Sequence, residues 1–171
     1  VGLITLSSLA WCWATSTSYD TRLLLRGNRF FDLMDYDKAI ATYNQALNEF
    51  PSNHEIRAAL ALTYKQRGDY YRAVTEYKYL INSNPDNAAL HNNLGTVYYR
   101  NEQYDLAIEE YRKAIQLDDN LVAAYGNLGL VFLKKGNAKE AIPFLRKVFQ
   151  NEEDMLKYLL LFYNPNHEQT G

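Results

Sequence analysis

The chain has 171 residues, 47% hydrophobic and 22% charged, enough apolar content to bury a core of about one domain's size. A net charge of -2 and a pI near 5.9 exclude a global basic field, so composition gives no reason to expect nucleic acid or an anionic membrane surface as partner. The single cysteine, Cys12, excludes an internal disulfide framework and a thiolate zinc cluster, whereas 15 tyrosines suit helices packed through large side chains with a polar tip.

Residues 1–19 read VGLITLSSLAWCWATSTSY and carry no charge, forming an apolar leader that ends at Asp20. The leader falls short of the ~20 apolar residues that span a bilayer, and its Thr and Ser content rises towards the end. Three readings stay open. It is a signal remnant cut after Ala14, with Cys12 and Ala14 as the small residues such a site needs; or a lipoprotein-type signal; or a retained membrane anchor. In the lipoprotein reading Leu9 and Ala10 lead to Cys12 as candidate lipidation site, although Trp11 stands where a small residue is wanted. The expectation is a membrane-associated, extracytoplasmic protein, periplasmic or lumenal. The alternative is a cytoplasmic protein whose N-terminus is a packed extension.

From Asp20 onward a step of 34 residues dominates. Ala39, Ala73, Ala107 and Ala141 keep it (73−39, 107−73, 141−107), as do Phe30, Tyr64, Tyr98 and Phe132. Gly27, Ala61, Gly95 and Gly129 follow the same step, and so do Tyr43, Tyr77, Tyr111 and Leu145. A small residue lets two helices approach closely and the aromatics fill the space between adjacent hairpins, so this is the signature of packing. The pattern predicts helices over 20–34, 36–50, 54–67, 70–83, 88–101, 104–117, 122–135 and 138–150. Breakers stand between them at Asp35, Gly68-Asp69, Gln103 and Gly136-Asn137. Pro51 and Pro85 separate successive hairpins, and Pro143 is expected near the first turn of its helix, where a missing N–H costs least. Met155 to Tyr163 reads as a ninth helix, introduced by Glu152, Glu153 and Asp154 and stopped near Asn164-Pro165. Its lack of polar residues leaves open whether its outer face is buried or meets a partner or membrane.

Residues 91–120, HNNLGTVYYRNEQYDLAIEEYRKAIQLDDN, place His91, Leu94, Gly95, Tyr98, Ala107, Tyr111 and Asp119 on the signature of one tetratricopeptide repeat. His91 stands in place of the usual Trp and Asp119 in place of the usual Pro. The chain thus resembles the tetratricopeptide repeat family. The resemblance implies an all-α, right-handed superhelical solenoid of four helix-turn-helix repeats plus a C-terminal capping helix. The repeats fall at 20–53, 54–87, 88–121 and 122–151, the capping helix at 152–164 and a tail at 165–171. Repeat one is the most degenerate, with Arg26 where Leu60, Leu94 and Leu128 stand later.

No catalytic pattern emerges. His54, His91 and His167 lie at no metal-ligand spacing, and His91 sits at a core aromatic position also held by Tyr125. Asp32, Asp35 and Asp37 lack the alternation of a calcium loop, and the chain has no phosphate-cradling glycine loop or nucleophile elbow. Lys134-Lys135 and Arg146-Lys147 are too short for a nucleic-acid surface. The expectation is a protein without catalytic activity, cofactor, metal, nucleic acid or small-molecule substrate.

The family resemblance implies a concave groove lined by the first helix of each repeat. By that geometry it includes Asn28, Phe31, Leu62, Lys65, Asn92, Asn93 and Thr96, continuing through Tyr99, Arg100, Asn127, Leu130, Leu133 and Lys134. Apolar patches with basic heads suit an extended peptide or amphipathic helix bearing acidic residues. Leu24 and Ala59 stand where a carboxylate clamp needs polar residues, which argues against a heat-shock co-chaperone. Asn93 and Asn127, 34 apart (127−93), resemble an asparagine ladder that holds a peptide backbone. The functional expectation is an exported or membrane-tethered scaffold supporting assembly or stability of a membrane or envelope complex, the alternative a cytosolic peptide-binding chaperone or adaptor.

Overall fold

The computed structural model describes the backbone of residues 6–162 and the side chains of residues 19–160. The described residues form helices and turns with no strand. The helices are α1 (Leu6–Asp32), α2 (Tyr36–Glu49), α3 (His54–Arg67), α4 (Tyr70–Ser83), α5 (Ala88–Arg100), α6 (Tyr104–Leu117), α7 (Val122–Lys134), α8 (Ala138–Leu145) and α9 (Glu152–Phe162). From α2 to α7 each begins and ends within one residue of the span that the 34-residue pattern predicts. Residues 1–5 of the leader and the 165–171 tail lie outside the described residues, as does the side chain of Cys12.

Two helices differ from expectation. α1 does not begin near Asp20 but at Leu6, because residues 6–19 hold no glycine or proline and extending a formed helix avoids the cost of nucleating one. α8 stops at Leu145 rather than near 150. Pro143 is its sixth residue and not a first-turn residue; there it removes a hydrogen bond to the Lys139 carbonyl and crowds that carbonyl with its ring. The chain continues in tight turns, with the N–H groups of Lys147 and Val148 donating to the Phe144 and Leu145 carbonyls at 3.1 and 2.9 Å.

Each hairpin turn closes in the same way. The N–H groups of Asp35, Asp69, Gln103 and Asn137 donate to the carbonyls of Phe30, Tyr64, Tyr98 and Phe132 at 2.8–2.9 Å, each reaching five residues back. The residue before each donor, Met34, Gly68, Glu102 or Gly136, has positive φ, as a Schellman-type helix end requires. The Asn53 carboxamide oxygen caps α3 by accepting from Glu55 and Ile56 N–H, Asn87 caps α5 through Leu90 N–H, and Asp35 caps α2 through Lys38 N–H. These side chains satisfy donors that a helix start leaves orphaned.

The chain divides into two compact units after Glu76, within α4. In the first, α1 packs on α2, and α3 packs on both. Its core holds Leu23, Leu24, Ala39, Tyr43, Ala46, Ile56 and Leu60. Leu24 is thus a packing residue, as a position without a clamp allows. In the second unit α5 pairs with α6 and α7 with α8, α7 contacts α5 and α6, and α9 lies on α7. Leu94, Val97, Ala107, Tyr111, Leu128, Val131, Ala141 and Met155 are buried there. A Cβ added to Gly95 would fall 2.7 Å from the Tyr111 ring, and one added to Gly129 2.6 Å from Leu145, so glycine is what admits these side chains.

A polar seam ties hairpins to the loops that precede them. In the first unit Arg57 pairs with Glu76 at 2.7 Å and donates to the Pro51 carbonyl at 3.0 Å. In the second, His91 Nδ1 lies 2.7 Å from Glu110 and Nε2 3.1 Å from the Pro85 carbonyl. These are the same positions one repeat apart (91−57, 110−76 and 85−51 are all 34). His91 is 8% exposed and serves packing.

Candidate partner-binding faces

The thirteen residues expected to bind a partner divide between the two units, and each set is built from its own helices. In the second unit α5 supplies Asn92, Asn93, Thr96, Tyr99 and Arg100, and α7 supplies Asn127, Leu130, Leu133 and Lys134. All are half-buried except Arg100 and Lys134, which are exposed. Asn127 Nδ2 donates to Asn92 Oδ1 at 2.9 Å. Asn127 is thereby tied to the neighbouring repeat through Asn92, while Asn93, its counterpart at the 34-residue ladder spacing, is half-buried on the same helix as Asn92. Thr96 donates to the Asn92 carbonyl at 2.9 Å and accepts from the Tyr111 hydroxyl at 3.3 Å. Asn92, Thr96 and Asn127 thus hold their own unit together.

What packing leaves over on this face is aromatic and basic. Tyr99 meets Tyr104 at 5.8 Å between ring centroids. Burial pushes the Tyr99 hydroxyl above its ordinary pKa, and the neighbouring Tyr104 and Tyr158 hydroxyls add to the shift. Tyr158, on α9, is likewise raised by burial and packs on Phe149 at 5.2 Å. Tyr104 and Tyr158 therefore belong to the candidate site, although sequence reasoning left them out. Tyr104 keeps a 34-residue step with Tyr36 and Tyr70, which marks a repeat position but not a partner contact, and Tyr158 lies in a helix whose docking no periodicity specifies.

In the first unit Asn28, Phe31 and Leu62 are half-buried and Lys65 is buried. Of the basic residues expected in the groove, Arg100 and Lys134 of the second unit are therefore the ones exposed to solvent. Tyr43 donates its hydroxyl to Asn28 Oδ1 at 2.6 Å, as Tyr111 does to Thr96 two repeats later. Phe31 and Tyr36 meet at 5.8 Å in the positions of Tyr99 and Tyr104 (99−31 and 104−36 are both 68). Among the described residues no group of three His, Cys, Asp or Glu is placed to hold a metal, and no helix is long and apolar enough to cross a membrane.

Repeated hairpins with matched closures, and aromatic faces in both units, define a helical-repeat interaction module. Sequence patterns of the TPR repeat match residues 27–67, 62–102 and 97–136, and a tetratricopeptide repeat pattern matches 122–154. The chain belongs to the tetratricopeptide repeat family, whose repeats act as scaffolds for protein–protein interaction and bind protein partners. Comparison with curated proteins returns no match. The fold is similar to that of MamA, residues 41 to the end, from Desulfovibrio magneticus RS-1, at 23% identity over 79% of this chain and 76% of that one, with a TM-score of 0.71. It is also similar to a thermophilic TPR protein of Thermus thermophilus, at 21% identity over 78% and 75% of the two chains, with a TM-score of 0.66. MamA of strain AMB-1 matches at 24% identity over 74% of each chain, with a TM-score of 0.62.

Proposed function

We propose that this chain is a non-enzymatic scaffold that holds an extended peptide or amphipathic helix of a protein partner, without cofactor, nucleic acid or small-molecule substrate. The observation that carries the reading is the Tyr99–Tyr104 pair at 5.8 Å, set beside the exposed side chain of Arg100. Half-buried aromatics present rigid contact area at low entropic cost, and a nearby cation favours a partner with acidic groups. The remaining groove residues, from Asn28 and Phe31 to Leu133 and Lys134, complete the proposed surface within their respective units. The scaffold acts at a membrane or envelope complex, exported or tethered through the apolar leader.

Tyr99→Ala combined with Arg100→Glu should weaken partner capture at least about tenfold, roughly 1.4 kcal/mol, while helical content stays unchanged. Unchanged pull-down of the partner from the native source would remove this face from the account. Alkaline extraction of native membranes tests location: recovery wholly in the cytosolic fraction would sink the tethered reading. The continuity of α1 from Leu6 into repeat one supports a second reading, a cytoplasmic adaptor whose leader extends the first repeat.

A further inference from the structure

Two helix faces that the partner-binding reading does not use carry complementary chemistry. On the outer side of α1, Leu25 and Arg29 follow at i and i+4, with Arg22, Arg26 and Asp32 on the same stripe and Leu33 in the turn just beyond the helix. Leu25 and Leu33 are 62% and 68% exposed, and the segment from Arg22 to Arg29 holds three arginines and no acid. On α9, Glu152, Leu156 and Leu160 repeat that spacing with Glu153 alongside. Leu156 and Leu160 are 53% and 70% exposed, while Met155 is buried on the opposite side.

We propose that these faces meet between copies of this chain, α9 of one docking on α1 of the next, head to tail. The α1 stripe sets leucine among Arg22, Arg26 and Arg29 against a single Asp32, and the α9 stripe sets leucines among Glu152 and Glu153 against a single Lys157, so the net signs are opposite. Pairing α1 with α1 would bring arginines together, and pairing α9 with α9 would bring glutamates together, so charge selects the unlike contact. The stripes also match in length. Arg22 to Arg29 and Glu153 to Leu160 are each seven residues apart (29−22, 160−153), about 10 Å along a helix. Glu152 is paired with Arg146 at 3.3 Å and Glu153 with Lys157 at 2.7 Å, but all four groups are exposed, and such pairs exchange at little cost. The contact is heterologous, so each addition leaves one α1 face and one α9 face unfilled, and assembly proceeds to a ring or an open filament.

Sedimentation velocity on the full chain tests this. The expected result is a mass that grows with concentration past two copies and falls as salt is raised. Arg26→Glu with Arg29→Glu, and separately Glu152→Lys with Glu153→Lys, should each raise the apparent dissociation constant about tenfold or more with circular dichroism unchanged. An equimolar mixture of the two variants should regain association, because each then faces its opposite charge. A chain that stays monomeric, a species that stops at two copies, association indifferent to either variant, or a mixture that fails to recover would overturn the proposal. So would a monomer that instead binds phosphatidylcholine vesicles through Leu156 and Leu160.

Discussion

Met34, Gly68, Glu102 and Gly136 occupy the same turn position at 34-residue steps, with φ of 59°, 87°, 58° and 78°. Only two of them are glycine. For a residue with a Cβ the left-handed region costs about 1–2 kcal/mol, partly offset by the greater entropy that glycine loses on folding. Glu102→Gly should therefore stabilise the protein by about 0.5–1 kcal/mol, read as a higher urea midpoint at unchanged slope. Gly68→Ala should move the midpoint the other way. If both substitutions shift it in the same direction, backbone strain is not what distinguishes these turns. Glu102 is exposed, so the comparison is free of lost core contacts. The same scale decides the fate of Asn28 and Thr96: each satisfies a buried tyrosine hydroxyl, whose desolvation would otherwise cost about 1–3 kcal/mol.

At the scale of elements, Pro143 lies inside α8, which ends two residues later and is followed by turns at residues 146–148. Pro143→Ala should restore the bond to the Lys139 carbonyl, lengthen the helix and stabilise repeat four by about 1–3 kcal/mol. A gain in far-ultraviolet helical signal together with a higher melting temperature is the expected outcome; no change in either would place the cause of the short helix elsewhere. Beyond the single repeat, the elements alternate in pairs. Phe31–Tyr36 and Tyr99–Tyr104 stand 68 residues apart, as do Leu62 and Leu130 (130−62) and the turn glycines Gly68 and Gly136 (136−68). First and third repeats present an aromatic pair, whereas second and fourth present leucine and a glycine turn. Two helical hairpins together are thus the unit in which surface chemistry repeats.

For the whole molecule the buried tyrosines set an alkaline limit. Burial pushes Tyr43, Tyr77 and Tyr111 from 10.0 up to about 12, because the phenolate is disfavoured away from water. The folded state therefore holds these protons more tightly than the unfolded chain. The stability they confer is complete below about pH 10 and is lost as pH rises through about 12. Unfolding followed by circular dichroism should coincide with the rise of tyrosinate absorbance. Tyr77→Phe should move that transition to higher pH with little change at neutrality; ionisation of these tyrosines in a still-folded chain would contradict the account.

The repeat is written in the residue pattern, because a 34-residue step in small and aromatic residues leaves few ways to pack helices without gaps or clashes. The 34-residue steps of Gly95, Ala107 and Tyr111, and the breakers at Gly68 and Gly136, are readable from spacing alone, and the helices from α2 to α7 follow. Contacts between helices set what local pattern cannot encode. The folded packing accounts for the rest. It joined Asn127 to Asn92, turned Asn28 and Thr96 towards buried hydroxyls, withdrew Lys65 from solvent and brought Tyr158 towards Tyr99. Each of these depends on side-chain directions across different helices, which periodicity leaves free. It also left leucine and arginine outward on α1, and leucine and glutamate outward on α9, because each of these helices packs on its own unit through one side and leaves the other to solvent.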